Sequence, residues 1–557
     1  MKPLSLILNK LFSLIPGRKK KHNEGEKDNK GLAVDYRDIS EREADFKKTR
    51  LVASLEDNLQ TLSELTGGSF DLSIKRSLAG PKEVDSAVIY FDGMVEKVAI
   101  DDLLRTVKID TFETGIEGLQ KKEIFETVKK RLITKELKEA EDFEKLYEGI
   151  SLGDTALLFD GTAKAILCET KGWDYRTIME PEAETTIRGS RDGFVENLRV
   201  NTSLIRRRIR SPNLWIESMN IGSLTKTEVA YAYMKGLVGE EILEELRSRL
   251  ERIDIDSVLE SGVIEEFIED QPYSFFPTVF RTERPDIIAA GIVEGRVAIF
   301  TSGTPFVLMV PADFAMFLQA PDDYNEIFPI GTFLRILRLG AFVLSIFLPG
   351  LYVSVINFHP ELIPTSLLLT IQRTREGVPF PVIAEILIME FAFEFLREAG
   401  LRLPKAIGPA ISIVGALILG EAAIRAGIVS PGVVIIVAFT AITSFTAPTF
   451  SIAISARMLR FLMTILGGAF GLLGIQLGFL VLLINMVSLR SFGYPYMAPY
   501  GPFIWQDMKD NIIRAFWWQH DLRPRLLGFR EPRRQRPGQK PRPRKSSQSP
   551  KNDRKGR

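Results

Sequence analysis

Three carboxylates, Glu390, Glu394 and Glu398, stand four residues apart inside the mostly apolar stretch from Val382 to Gly400, with Glu385 ahead of them. That spacing puts the three on one face of a helix. Carboxylates at membrane depth are costly and must face protein or water. On a helix facing a pore or a second subunit, a repeated row of them would attract cations and repel anions. On a helix lying at the membrane surface, headgroup water would solvate them instead. Glu421 and Arg425, at i and i+4, are spaced to pair with each other. Thr440, Ser444, Ala447, Ser451 and Ser455 fall on roughly one face, with Pro448 predicting a kink. Such a stripe either lines a hydrated path or packs helices together. Gly467 with Gly471, and Gly474 with Gly478, are G-x-x-x-G pairs and predict close helix contact.

Chemistry of other kinds has no residues to carry it. There is no P-loop and no G-x-S-x-G turn. Cys168 is the lone cysteine and reads as a small core residue. His22, His359 and His520 lie far apart, so no zinc spacing exists. No catalytic constellation, cofactor or metal site is expected.

The elements that must hold these residues follow from hydropathy. The chain has 557 residues, a net charge of +1 and 26% charged residues. Those averages mix two solvents. The first 330 or so residues are dense in charge, whereas the stretch from about 331 to 490 is mostly apolar. Five apolar segments stand at about 334–356, 381–399, 407–428, 431–455 and 461–489, several near the roughly 20 residues that span a bilayer. Four or five membrane helices are therefore expected. Arg457 to Arg460 reads as a loop between the last two. With five spans the basic end, 491–557, lies across the membrane from the head. A re-entrant or interfacial segment would bring it back.

The head carries an internal repeat. Ser86-AVIYFDGMV-Glu96 resembles Val229-AYAYMKGLV-Gly239, and Gly153-DTALLFDGTAKAIL-Cys168 resembles Gly295-RVAIFTSGTPFVLM-Val310. Gly93 aligns with Gly236 and Gly161 with Gly303, at offsets of 143 and 142 residues. Two similar α/β subdomains in tandem are expected, at 46–175 and 176–330. Gly161 and Gly303 are expected in hairpin turns at positive φ. The arginine-rich stretch between the repeats, from Arg188 to Arg210, reads as a solvated helix or an inter-subunit contact rather than a nucleic-acid patch, because no RNA-binding motif accompanies it. Ahead of the head, Leu4, Ile7, Leu8, Leu11 and Ile15 form an apolar stripe followed by Arg18-Lys-Lys-Lys21. This suits either a short helix on an anionic membrane or a frayed terminus. A tether follows to about residue 45.

Several long stretches resemble the A subunit of bacterial spore germinant receptors. They are Glu182 to Leu214, Phe276 to Glu326, Phe380 to Gly400 and Pro448 to Arg460, and the resemblance runs from about residue 45 to about 520. It implies a multi-pass protein of the spore inner membrane. It also implies a transporter-like B subunit and a lipoprotein C subunit as partners, a ring of A subunits, and nutrient sensing coupled to ion release. A related spore-membrane protein encoded with the dipicolinate channel is the alternative within the family. A non-conducting scaffold for the transporter-like partner is the alternative in mechanism.

Overall fold

The computed structural model describes residues 39–541 apart from 80–83, 109–124, 127, 131, 133–136, 173–179, 182–183, 185, 403–417 and 528–532. The N-terminal apolar stripe, most of the tether, most of the third apolar segment and the last basic residues lie outside this set. The tether is shorter than expected. Helix α1 begins at Ile39 and runs to Lys48, and its Arg42 is buried, donating from Nε to Asn213 Oδ1 at 2.9 Å.

Two five-stranded sheets follow. In the first, α2 (Leu55–Thr66), β1 (Leu72–Ala79), β2 (Val84–Phe91), α3 (Lys97–Lys108), β3 (Leu137–Ala140), α4 (Phe143–Ser151), β4 (Asp154–Phe159) and β5 (Ala165–Glu169) give the strand order β1-β2-β4-β5-β3. Helix α5 (Leu198–Arg208) then leads to the second, built from β6 (Leu214–Ile221), β7 (Thr227–Met234), α6 (Glu240–Glu251), α7 (Ser261–Ile268), β8 (Phe280–Thr282), α8 (Pro285–Glu294), β9 (Val297–Thr301) and β10 (Val307–Val310). Its order, β6-β7-β9-β10-β8, is the same. The duplication extends to register. Ser86 faces Phe159 in the first sheet, and Val229 faces Thr301 in the second, at the same two offsets. Central strands β2, β4, β7 and β9 are apolar on both faces because helices or chain cover both faces. Gly93, Gly161, Gly236 and Gly303 all sit at positive φ, between 80° and 95°.

One fully buried side chain joins the two sheets. Arg206, on α5, donates from Nε to Asp71 Oδ2 at 2.7 Å, from Nη2 to Ser69 Oγ at 2.7 Å and from Nη1 to the Tyr147 hydroxyl at 3.1 Å. Ser69 and Phe70 also exchange hydrogen bonds with Ile216 on β6. The arginine-rich stretch is thus no uniformly solvated helix: Arg206 is an internal staple, missed because its neighbours are charged.

The apolar region is helical. After α9 (Phe314–Leu318) and α10 (Asp322–Asn325) come α11 (Phe328–Phe358), α12 (Thr365–Arg375), α13 (Val382–Arg402), α14 (Pro431–Ser444) and α15 (Phe450–Ser488). Helices α11 and α15 are long and apolar enough to cross a membrane. The boundaries near the end differ from expectation. Residues 450–455 belong to α15 rather than to the preceding segment, with Pro448 in the gap. Arg457 and Arg460 are helical rather than in a loop. And α15 breaks at Gly471 (φ 63°, ψ −147°). A Cβ on Gly478 would meet Leu466 and Met463, so limb 472–488 folds back on limb 450–470.

The chain beyond Arg490 is not a free tail. Strands β11 (Arg490–Ser491) and β12 (Tyr494–Pro495) form a short hairpin, and Tyr496 is fully buried among Phe276, Phe314 and Phe317 of the head. Asp510 accepts from Arg335 of α11, with Nη1 3.2 Å from Oδ1.

Candidate functional site

The acidic face of α13 points into the helices, and arginines meet it there. Glu390 is 1% exposed, and Arg460 Nε lies 3.3 Å from its Oε1 without an aligned hydrogen bond. Glu394 receives three guanidinium groups: Arg397 Nη1 at 3.2 Å, Arg457 Nη1 at 3.1 Å and Arg460 Nη2 at 3.0 Å. Arg397 Nη2 also donates to Ser444 Oγ at 3.1 Å. With all five groups ionised, two carboxylates face three guanidinium groups, an excess of one positive charge.

The elements dictate this arrangement. Residues 390, 394 and 397 share a face of α13, and 457 and 460 share a face of α15. Small residues let the helices approach. A Cβ on Gly467 would come within 2.6 Å of Gly350 O on α11, and one on Gly468 would strike Ile383 of α13. A polar group in such a dry contact needs a partner, and opposite charges across it satisfy each other. Residues 457 and 460 lie about 10–15 Å along α15 from its start, at 1.5 Å per residue.

The other sequence-predicted residues separate into groups. Glu398 stands at the exposed end of the row and pairs with Arg402, with Nη2 2.7 Å from Oε1. It is not part of the cluster, so the three-carboxylate row is not one continuous open face. Glu421 and Arg425 pair with each other at the surface. Thr440 is buried and its hydroxyl bonds back to Ile436 O at 2.7 Å. Ser451 joins the head rather than the cluster: its Oγ accepts from Arg281 Nε of β8 at 3.1 Å. Gly467 lies against Gly350, Gly471 carries the reversal beside Phe358, and Gly474 and Gly478 lie against the first limb of α15 itself. Gly161 and Gly303 occupy the β4–β5 and β9–β10 turns.

Sequence reasoning missed Arg457 and Arg460 as partners of the acids. It also missed the partners of Glu385, which is fully buried and accepts from Ser430 N and Oγ, both at 2.7 Å, with Arg375 Nη2 at 3.3 Å. Arg457 and Arg460 had a signal, the i, i+3 spacing in an apolar run, but charge in such a run also reads as a loop. A second junction holds α11 to the head: Asp323, fully buried, takes Arg335 Nε at 3.2 Å and Arg338 Nη1 at 3.0 Å. Among the described residues no group of acids, histidines or cysteines could hold a metal ion.

Comparison with known proteins adds to this geometry. The family described as Bacillus/Clostridium GerA spore germination protein matches residues 60–526. Spore germination protein KA of Bacillus subtilis is 44% identical over 491 residues, covering 88% of this chain and 90% of that protein. Stage V sporulation protein AF of the same organism is 30% identical over 464 residues, covering 83% and 92%. The crystal structure of the N-terminal domain of the A subunit of the Bacillus megaterium spore germinant receptor GerK3 is 34% identical, covers 48% of this chain and 98% of that chain, and has a TM-score of 0.38. With most of its length matched, from the first sheet through the helices to the C-terminal segment, this chain belongs to the GerA family of spore germination proteins.

Proposed function

We propose that this chain is the A subunit of a nutrient germinant receptor in the spore inner membrane. It couples nutrient sensing to ion release, with a transporter-like B subunit and a lipoprotein C subunit as partners and with copies of itself in a ring. The higher identity to a germination protein than to the stage V protein favours the receptor subunit over its dipicolinate-associated relative. Outward apolar residues on α15, among them Leu477, Leu480, Val481 and Ile484, support a membrane setting. So does the path of the chain. Contacts 281–451, 350–467, 358–471 and 390–460 order the helices along one axis. Helix α11 leaves the head, α13 returns, α14 also runs toward the head, and α15 leaves and returns across Gly471. Both ends of the membrane region meet the head.

The observation that carries the mechanism is the meeting of Glu390 and Glu394 with Arg397, Arg457 and Arg460. Carboxylates so paired do not present an open negative ring. They read as the lock of a conducting path, closed while the arginines hold Glu394. Breaking a buried pair by removing one partner leaves the other charges uncompensated, at a cost of about 3–5 kcal/mol. Potassium efflux from spores carrying Glu394→Gln tests this. The lock predicts efflux without nutrient at normal receptor abundance, whereas an open carboxylate ring predicts reduced efflux with nutrient. Unchanged efflux with both Glu390 and Glu394 neutralised removes the cluster from the path and favours the scaffold.

A further inference from the structure

Apolar aromatic side chains gather where the helices meet the head, outside the helices themselves. In the C-terminal segment Phe503 is 63% exposed, Trp505 76%, Ile513 55% and Trp517 52%. They lie apart from the buried side of the segment, which includes Tyr496, Ala498 and Ala515. The segment is held firmly. Arg514 donates to Glu326 O at 2.5 Å and to Tyr324 O at 3.2 Å, and Asp510 takes Arg335. Its outer aromatics are therefore presented at a fixed height.

That height is set by the helix ends. Phe516 stacks on Phe328, in the first turn of α11, with ring centroids 4.1 Å apart, and Trp518 stacks on Phe516 at 4.5 Å. A Cβ on Gly501 would lie 3.9 Å from Val487, in the last turn of α15. The neighbouring helix turns are apolar and exposed too, at Ile330, Phe333 and Leu337 on α11 and at Ile484 and Val487 on α15. The aromatic patch is thus continuous with the apolar faces of α11 and α15 and lies at their head-side ends. Lys509 is exposed in the same segment. Amphipathic rings beside cations are the composition found at the boundary of a bilayer, where the ring body lies in the apolar layer and its polar edge in headgroup water.

We infer that residues 499–518 and the first turns of α11 form an aromatic collar seated in the phospholipid headgroup region on the head side of the membrane. This rests on the reading that α11 and α15 span the bilayer. The collar would fix the height of the head and resist tilting of the helices beneath it.

Tryptophan fluorescence of the full chain tests it cleanly, because none of the five tryptophans lies between residues 328 and 488. The chain is reconstituted into phosphatidylcholine–phosphatidylglycerol vesicles whose acyl chains carry bromine either near the headgroup or near the chain end. Shallow bromine is expected to quench wild-type emission more than deep bromine. A Trp505→Phe, Trp517→Phe, Trp518→Phe variant is expected to lose that quenching. Leu480→Trp in the same background is the control for the spans, and deep bromine should quench it. Quenching at residue 480 with none of the native emission quenched by shallow bromine overturns the collar and leaves the spans standing. No quenching at residue 480 overturns the spans and the collar together.

Discussion

In the first subdomain the chain leaves β5 at Glu169 and turns home: Lys171 bridges back to Val95, and Gly172 lies against Glu96. At the corresponding place in the second subdomain the chain leaves β10 at Val310 and goes elsewhere. Ala312 N donates to Ser491 Oγ at 3.0 Å, and Phe314 N donates to Tyr496 O at 2.8 Å. Asp313 takes Arg296 Nη2 at 2.6 Å, and the next turns run into α11. Two copies with one strand order and one register have been given different neighbours by a few residues after their last strand. The second copy's sheet shares a core with the helices, through Phe280, Phe317, Phe342, Ile346 and Met463, whereas the first copy's two cores are closed by its own helices. Duplication supplied a stable sheet twice, and the second was free to become a connector.

The largest expected effect breaks the join between the copies. Arg206→Ala leaves Asp71 buried and unpaired, and a loss of about 3–5 kcal/mol is expected in denaturant unfolding of the full chain. An unchanged midpoint would mean that the two sheets are held by other contacts. Next, Tyr496→Ala removes the ring shared by the head and the C-terminal segment, at about 3 kcal/mol. Limited proteolysis should then cut within residues 490–527 sooner, with hydrogen exchange in β2 and β4 unchanged. Protection lost equally from both sheets would contradict the asymmetry.

A smaller effect depends on pH. Burial pushes the Glu184 carboxyl, in the stretch between the two sheets, up to about 7 from the ordinary 4.5, against the opposing hydrogen bond from Thr282. A raised acid costs stability as pH rises from 4.5 toward 7, because the unfolded chain gives up its proton first. Glu184→Gln should flatten that slope. Stability above the raised value should gain about 3 kcal/mol, and stability below the ordinary one should stay as it was. A melting-temperature series across pH checks both. The smallest effect compares the copies directly. Gly161→Val and Gly303→Val each force a branched residue to positive φ, at about 1 kcal/mol apiece. Open space around Gly303 means that conformation alone sets its cost. A silent Gly303→Val would show that the turn relaxes.

What the sequence disclosed and what it hid divide along physical lines. The repeat was legible because Gly93, Gly161, Gly236 and Gly303 mark backbone positions that side chains resist, and their spacing survives in register. Glu390 and Glu394 were legible as misplaced charges, since an acid in an apolar run stands out. Their partners on α15 were not. Arg457 and Arg460 are 63 to 70 residues away in sequence, and nothing local says that they turn inward. Gly471 read as a contact residue, since G-x-x-x-G says that backbones approach but not which backbones. Only a positive φ turns a contact into a reversal. The C-terminal segment was hidden by its charge, because the buried Tyr496 is one ring among many polar residues.

The buried place of Tyr496 also has a consequence in time. Ribosomes deliver the chain from its N-terminus, and domains generally fold in that order. The aromatic layer formed by Phe276, Phe314 and Phe317 is synthesised before α11, and Tyr496 only after α15. That layer therefore lacks its last ring while α11 to α15 are being made. Completion of the last hairpin is therefore the step that seals the layer, because Tyr496 is the ring that packs against all three phenylalanines.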